Sequence, residues 1–164
     1  MISVLLVWQT KDNNKMSTID KSAPPSVSVS LKSLLVPSKT VELEFPGFDG
    51  FKVNLSFLSR ETLVSVRKKA TKLVFKNRQP TEELNDDLFL ELYVKAAIKD
   101  WSGLKLKFLE QLAPVDLTGQ NLEAELAFSE ENALFLMKSS TNFDSWISEQ
   151  VTELGNFQTT SASK

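Results

Sequence analysis

Two short runs in which apolar and polar residues alternate open the patterned part of the chain. Val41, Leu43 and Phe45 alternate with Thr40, Glu42 and Glu44; Phe51, Val53, Leu55 and Phe57 alternate with Lys52, Asn54 and Ser56. Between them lies Pro46-Gly47-Phe48-Asp49-Gly50, a cluster of turn residues. Period-2 runs on either side of such a turn predict a β-hairpin with one apolar face. An isolated hairpin is marginal in water, so that face must pack on helices.

From Ser59 onward the spacing becomes helical. Ser59 is placed to cap a helix over Arg60–Val74, with Leu63, Val66, Ala70 and Leu73 or Val74 turned inward. Lys76–Pro80 reads as a connector. Asn85 or Asp86 starts a second helix, from Asp87 to about Trp101, with its acids at the end the helix dipole favours. Nine of the eleven residues from Leu88 to Ile98 are apolar, so water reaches one stripe of Asp87, Glu91, Lys95 and Lys99. Glu-before-Lys pairs at this spacing add about 0.2–0.5 kcal/mol each. A helix so apolar must be covered nearly all round, by its own neighbours or on one side by another polypeptide; the core reading is the simpler.

Ser102-Gly103 interrupts, and Leu104–Leu112 predicts a short helix that Pro114 ends. Ser129 caps a helix from Glu130 to about Lys138. Thr141 and Asp144 stand in capping-box relation ahead of an apolar face of Phe143, Trp146, Ile147, Val151 and Leu154. Gly155 then reads as a C′ glycine and Phe157 as the C″ residue of a Schellman stop touching Val151. The fold class is α+β, mostly α: an N-terminal β-hairpin packed on about five helices, in a single domain over residues 39–157.

The flanks differ. Residues 1–38 read as a flexible leader rich in Ser, Pro and Lys, in which Val27–Val36 is an extended piece or a short docking turn. Met1–Trp8 is apolar but too short to span a bilayer, and lacks the leading positive charges and cleavage site of a secretory signal. Lys11-Asp12 can be encoded by AAG-GAY, a purine-rich stretch like a bacterial ribosome-binding site. We therefore expect translation to start at Met16, leaving residues 1–15 untranslated; a genuine leader is the alternative. Residues 158–164 read as a disordered polar tail.

Composition narrows the function. The chain of 164 residues has no Cys and no His, which removes thiol nucleophiles, imidazole bases and the common N/S metal sites. With 19 basic and 21 acidic side chains the net charge is −2, which argues against a broad phosphate-binding surface. Five glycines assemble no phosphate loop. We expect no enzyme, no cofactor, no metal site, no nucleic-acid partner and no membrane span. Glu82, Glu83, Asp86 and Asp87 are the one dense carboxylate set; capping and dipole effects explain them better than magnesium binding or acid/base work. Arg67, Lys68, Lys69, Lys72, Lys76 and Arg78 read as a solvated face rather than a nucleic-acid contact, because no aromatics interleave. Trp101, Phe108, Phe128, Phe135 and Trp146 are more aromatic mass than the helix faces obviously consume, and surplus apolar area marks partner sites.

The order of several motifs resembles a family. Arg60-Glu61 opening a helix, Arg67-Lys68-Lys69, Phe89-Leu90-Glu91 leading to Val94, and Ile98-Lys99-Asp100-Trp101 with Gly103-Leu104 resemble a tailed-phage (siphophage) tail assembly chaperone. So do Ser129-Glu130-Glu131-Asn132-Ala133-Leu134, Leu136-Met137 and Phe143-Asp144 with Trp146. The resemblance covers roughly Pro46 to Phe157; the segment before Val41 carries none of it.

The resemblance implies a protein made in the host cell cytoplasm and absent from the mature virion. It would bind the long, helix-prone tape measure protein and keep it soluble while tail tube protein polymerises. It further implies a longer form of the chain made by programmed frameshift, for which Gly155-Asn156-Phe157 offers the codons GGA-AAU-UUU. Trp101, Phe108 and Trp146 are the expected partner-binding anchors. Rival readings are a small structural virion protein (a head–tail connector or tail-completion subunit), a metal-dependent phosphodiester enzyme using the acids near Asp86, and a nucleic-acid-binding regulator.

Overall fold

The structure, a computed structural model, describes residues 28–34 and 39–158. The start-codon and leader expectations for residues 1–27, and the tail beyond Gln158, lie outside the described residues. The chain divides into two units, Met1–Leu35 and Val36–Lys164. In the first, α1 (Leu31–Leu34) is a single exposed turn that Ser30 starts by accepting from both the Ser33 N–H and hydroxyl.

The second unit is a mixed α+β fold, mostly helical, with two small sheets. β1 (Thr40–Glu44) and β2 (Lys52–Ser56) pair antiparallel as the alternation predicts, Leu43 opposite Val53. Their turn is closed by Phe45 N–H to Phe51 O (2.8 Å) and needs positive φ at Gly47 and Gly50. α2 (Arg60–Ala70) follows, capped by the Ser59 hydroxyl on the Thr62 N–H.

Here the structure departs from the sequence reading. The helix does not reach Val74: β3 (Thr71–Lys76) and β4 (Gln79–Leu84) form a second antiparallel hairpin, where a helix end and a connector were expected. Its two-residue turn places Asn77 at φ 52° and Arg78 at φ 65°, the primed geometry that matches strand twist.

α3 (Asp86–Ala97), capped by Asn85, is the central helix, packed between α2 and α5 (Glu130–Ser139). It too stops early. Residues 98–101, expected as its last turn, belong with Ser102 to β5 (Ile98–Ser102), which pairs with β2 to give the sheet order β1-β2-β5. The hairpin's inner strand would otherwise leave a row of buried backbone groups unpaired, and that need outweighs helix propensity here. Gly103, at φ +73°, lets the chain turn against Gly50: a Cβ there would overlap the Gly50 carbonyl.

α4 (Leu106–Leu112) lies against a loop that returns as far as Leu126, bonded through Leu106 N–H to Ala124 O and Leu126 N–H to Leu104 O. α6 (Thr141–Thr152) begins at the residue expected to cap it. Ser140, not Thr141, caps it through the Phe143 N–H, and the same residue closes α5 by donating to Leu136 O. Nor is there a Schellman stop: Gly155 sits inside α7 (Leu154–Phe157), whose Phe157 packs edge-on against Phe57.

The core gathers where the first sheet meets α6. Phe51, Val53, Leu55, Phe143, Ile147 and Val151 are fully buried, and burial of each contributes about 1.5–3 kcal/mol.

Candidate functional site

The three aromatic anchors expected from sequence fall in different places. Trp101 stands on a strand, not a helix, and is 6% exposed. Its ring meets Phe51, Phe128 and Phe143, and its indole N–H donates to Leu126 O at 2.8 Å. Trp101 thus ties the long loop to the core. Phe108 and Trp146 are half-buried and frame the first hairpin turn: Phe108 stacks on Phe48 (4.8 Å) and Trp146 meets Phe45 edge-on (4.9 Å). Beside them a cleft of about 330 Å³ is lined by Phe45, Phe48, Leu112 and Trp146 together with Gln111 and Asn142. Structure brings Phe108 and Trp146 together here and leaves Trp101 out.

A second surface was not legible as such in the sequence. On β3–β4, Leu73 and Phe75 share one face and are 63% and 74% exposed; Val64, on the neighbouring turn of α2, is 56% exposed. Pro80 stands opposite Phe75 and Glu82 opposite Leu73 on the same face. A trough of about 460 Å³ runs between α2 and β3, with Val64, Thr71 and Leu73 in its floor and Arg67, Lys68, Lys72 and Glu82 around it.

Charge separates along with apolar exposure. Between Arg60 and Leu84 the chain carries seven basic and three acidic side chains, against twelve and eighteen in the rest. Elsewhere, Lys52, Lys95, Lys105, Lys107 and Lys138 each hold a carboxylate. Arg67, Lys68, Lys69, Lys72 and Arg78 hold none among the described residues; on the hairpin only Lys76 is paired, with Glu83. The signal that could have exposed this surface is the run Thr71–Lys76, where period 2 puts Leu73 and Phe75 on one face and Lys72, Val74 and Lys76 on the other. Helical spacing from Leu63 through Leu73 competes with it.

The acids near Asp86 are spread over two elements. Glu82 and Glu83 lie on β4, Asp86 and Asp87 in the first turn of α3, and Asp87 meets Lys138 at 2.6 Å, which lowers its pKa. Among the described residues no group of three or more acidic side chains is placed to hold a metal ion, and no helix is long and apolar enough to cross a membrane. The largest titration shift is structural. Hydrogen bonds from Lys105 and Lys107 hold Glu123 down to about 2, clamping the loop onto the start of α4. Burial pushes the Tyr93 phenol up, opposed by its bond to Ser148.

Residues 58–164 match the model of a family described as YdaY prophage protein. No curated protein and no solved structure matches the chain.

Proposed function

The chain belongs to the YdaY prophage protein family, and from that premise we propose that it is a tail assembly chaperone: a holdase that binds the tape measure protein and keeps it soluble while the tail tube forms. The observation that supports this reading is the apolar strip of Val64, Leu73 and Phe75, uncovered among the described residues and each more exposed than Leu122, Phe135 or Leu154 elsewhere in the unit Val36–Lys164. A holdase needs apolar surface of moderate affinity and charge around it for solubility. Burying client surface gains about 25 cal/mol per Å² before association costs are subtracted. It works in the host cytoplasm and leaves before the particle is complete, and tail tube protein and a frameshifted longer form of the chain are its further partners.

Co-expression tests the reading. The long helical protein encoded beside this gene should move from the insoluble to the soluble fraction when the chain is present, and purified particles should lack the chain. A client that stays insoluble with the chain in excess refutes the holdase. Stoichiometric recovery of the chain in particles would instead support a structural virion subunit.

A further inference from the structure

We propose that the Leu73/Phe75 face of the second hairpin, with the cations of α2 beside it, docks an acidic amphipathic helix of the partner chain. The inference deepens the holdase reading and rests on it for the identity of that partner. Three observations carry it. Leu73 and Phe75 stand largely in water on a two-stranded sheet that no other element among the described residues covers on that face, and Val64 extends the strip onto α2.

The second observation is charge. Among the described residues Arg67, Lys68 and Lys72 border the strip without a carboxylate of their own, within a segment whose basic excess opposes an otherwise acidic chain. Apolar surface bordered by unpaired cations fits an apolar stripe bordered by carboxylates, with the complementarity setting orientation and encounter rate. Glu82, at the opposite edge, accepts a basic residue and fixes which way the helix lies.

The third is shape. Strands about 4.8 Å apart make a ribbon about as wide as one helix, 10–12 Å with side chains. Six residues of β3 run about 20 Å, the length of roughly four helical turns. Addition of a strand at the edge fits less well. Pro80 removes a donor from β4, and Lys72 and Lys76 flank β3 with charge, a common guard against edge pairing.

The test uses the full chain and two probes. One is the tape measure protein, co-expressed. The other is a pair of synthetic amphipathic peptides of about 18 residues, with Leu at helical i, i+3, i+4, i+7 spacing and either Glu or Lys on the flanks. The variants are Leu73→Ser/Phe75→Ser and Arg67→Glu/Lys68→Glu/Lys72→Glu. Far-UV circular dichroism and melting temperature report whether each folds, and Phe75→Ser alone serves where the double variant does not.

The Glu-flanked peptide should bind the native chain at least about tenfold more tightly than its Lys-flanked twin. Each variant should weaken it by about tenfold or more, and so should raising salt from about 0.05 to 0.5 M. Equal binding of the two peptides, or variants that bind as the native chain does, overturns the proposal. So does a native dimer that Phe75→Ser converts to monomer, which would make a second copy the occupant. Duplex DNA binding lost on Arg67→Glu/Lys68→Glu/Lys72→Glu but kept on Leu73→Ser/Phe75→Ser, with no peptide bound, overturns it too.

The two readings fail separately. A tape measure protein solubilised equally by native chain and variants sinks the docking face but keeps the holdase. Selective Glu-peptide binding with an insoluble tape measure protein does the reverse.

Discussion

Within the unit Val36–Lys164, the body built on β1-β2-β5, α3, α5 and α6 and the β3–β4 hairpin treat the same residue types in opposite ways. In the body, Phe51 and Phe143 are fully buried and each of the lysines Lys95, Lys105, Lys107 and Lys138 holds a carboxylate. On the hairpin, Phe75 is out in water and Lys72 holds no carboxylate among the described residues. A folded region that satisfies its groups internally has little left to offer another molecule. One that leaves both kinds unsatisfied gains by meeting a partner, which is why we propose the hairpin rather than the aromatic core as the working surface.

Substitutions should separate the two regions, most strongly in the body. Phe143→Ala removes a ring in contact with Phe45, Phe51 and Trp101, and should lower the stability measured by denaturant unfolding by about 3–5 kcal/mol. A loss below about 1 kcal/mol would mean that the body is not held by this cluster. Gly103→Ala should cost at least about 2 kcal/mol in the same assay, since it combines a positive φ with overlap on the Gly50 carbonyl.

On the hairpin the effects shrink and can change sign. Arg78→Gly relieves a left-handed residue in the turn and should stabilise the hairpin by about 0.5–1 kcal/mol. Hydrogen exchange should slow at β3–β4 amides while the body's exchange stays as it was; equal slowing everywhere would show the two regions to be one cooperative block.

Acid sharpens the contrast from the body's side. Because Glu123 is depressed to about 2 in the fold, its clamp contributes stability above its ordinary pKa of about 4.5 and loses it as pH falls through about 2. A carboxylate titration followed by NMR should place the Glu123 midpoint about 2, and Glu123→Gln should abolish the acid transition of the loop; a midpoint near 4.5 breaks the prediction. The smallest expected effect is Phe75→Ser, which should change stability by no more than about 0.5 kcal/mol, because the ring it removes is already solvated. A larger loss would make Phe75 a packing residue.

Sequence reasoning succeeded where a buried face imprinted a period. β1 and β2 alternate cleanly because Val53 and Leu55 must face the core, and the helix starts at Ser59, Asn85 and Ser129 are marked by side chains that accept the first free N–H groups. It failed where tertiary pairing decided. Ile98–Ser102 becomes a strand because β2 needs a neighbour, a demand invisible in the local spacing. β4, Gln-Pro-Thr-Glu-Glu-Leu, carries no apolar alternation because neither face is buried, so its strand character comes from the turn and from β3 alone.

The same limit governed the site. Aromatic surplus pointed to Trp101, Phe108 and Trp146, and the folded chain consumes Trp101 in its core while Trp146 lines a cleft and Phe108 stacks on Phe48 of its lining. The basic cluster was noticed in the sequence. Of its neighbours, Leu73 reads as a helix-face residue and Phe75 falls between the helix and the connector, so neither registers as exposed.

The Asn85 N–H donates to Ala70 O at 2.9 Å, so the strands leave the end of α2 and return to the start of α3 at adjoining points. Residues 71–84 are therefore topologically an insertion between two helices that already touch. Evolution can lengthen, recharge or exchange such a graft without re-solving the fold beneath it, so the hairpin is free to drift faster than its scaffold.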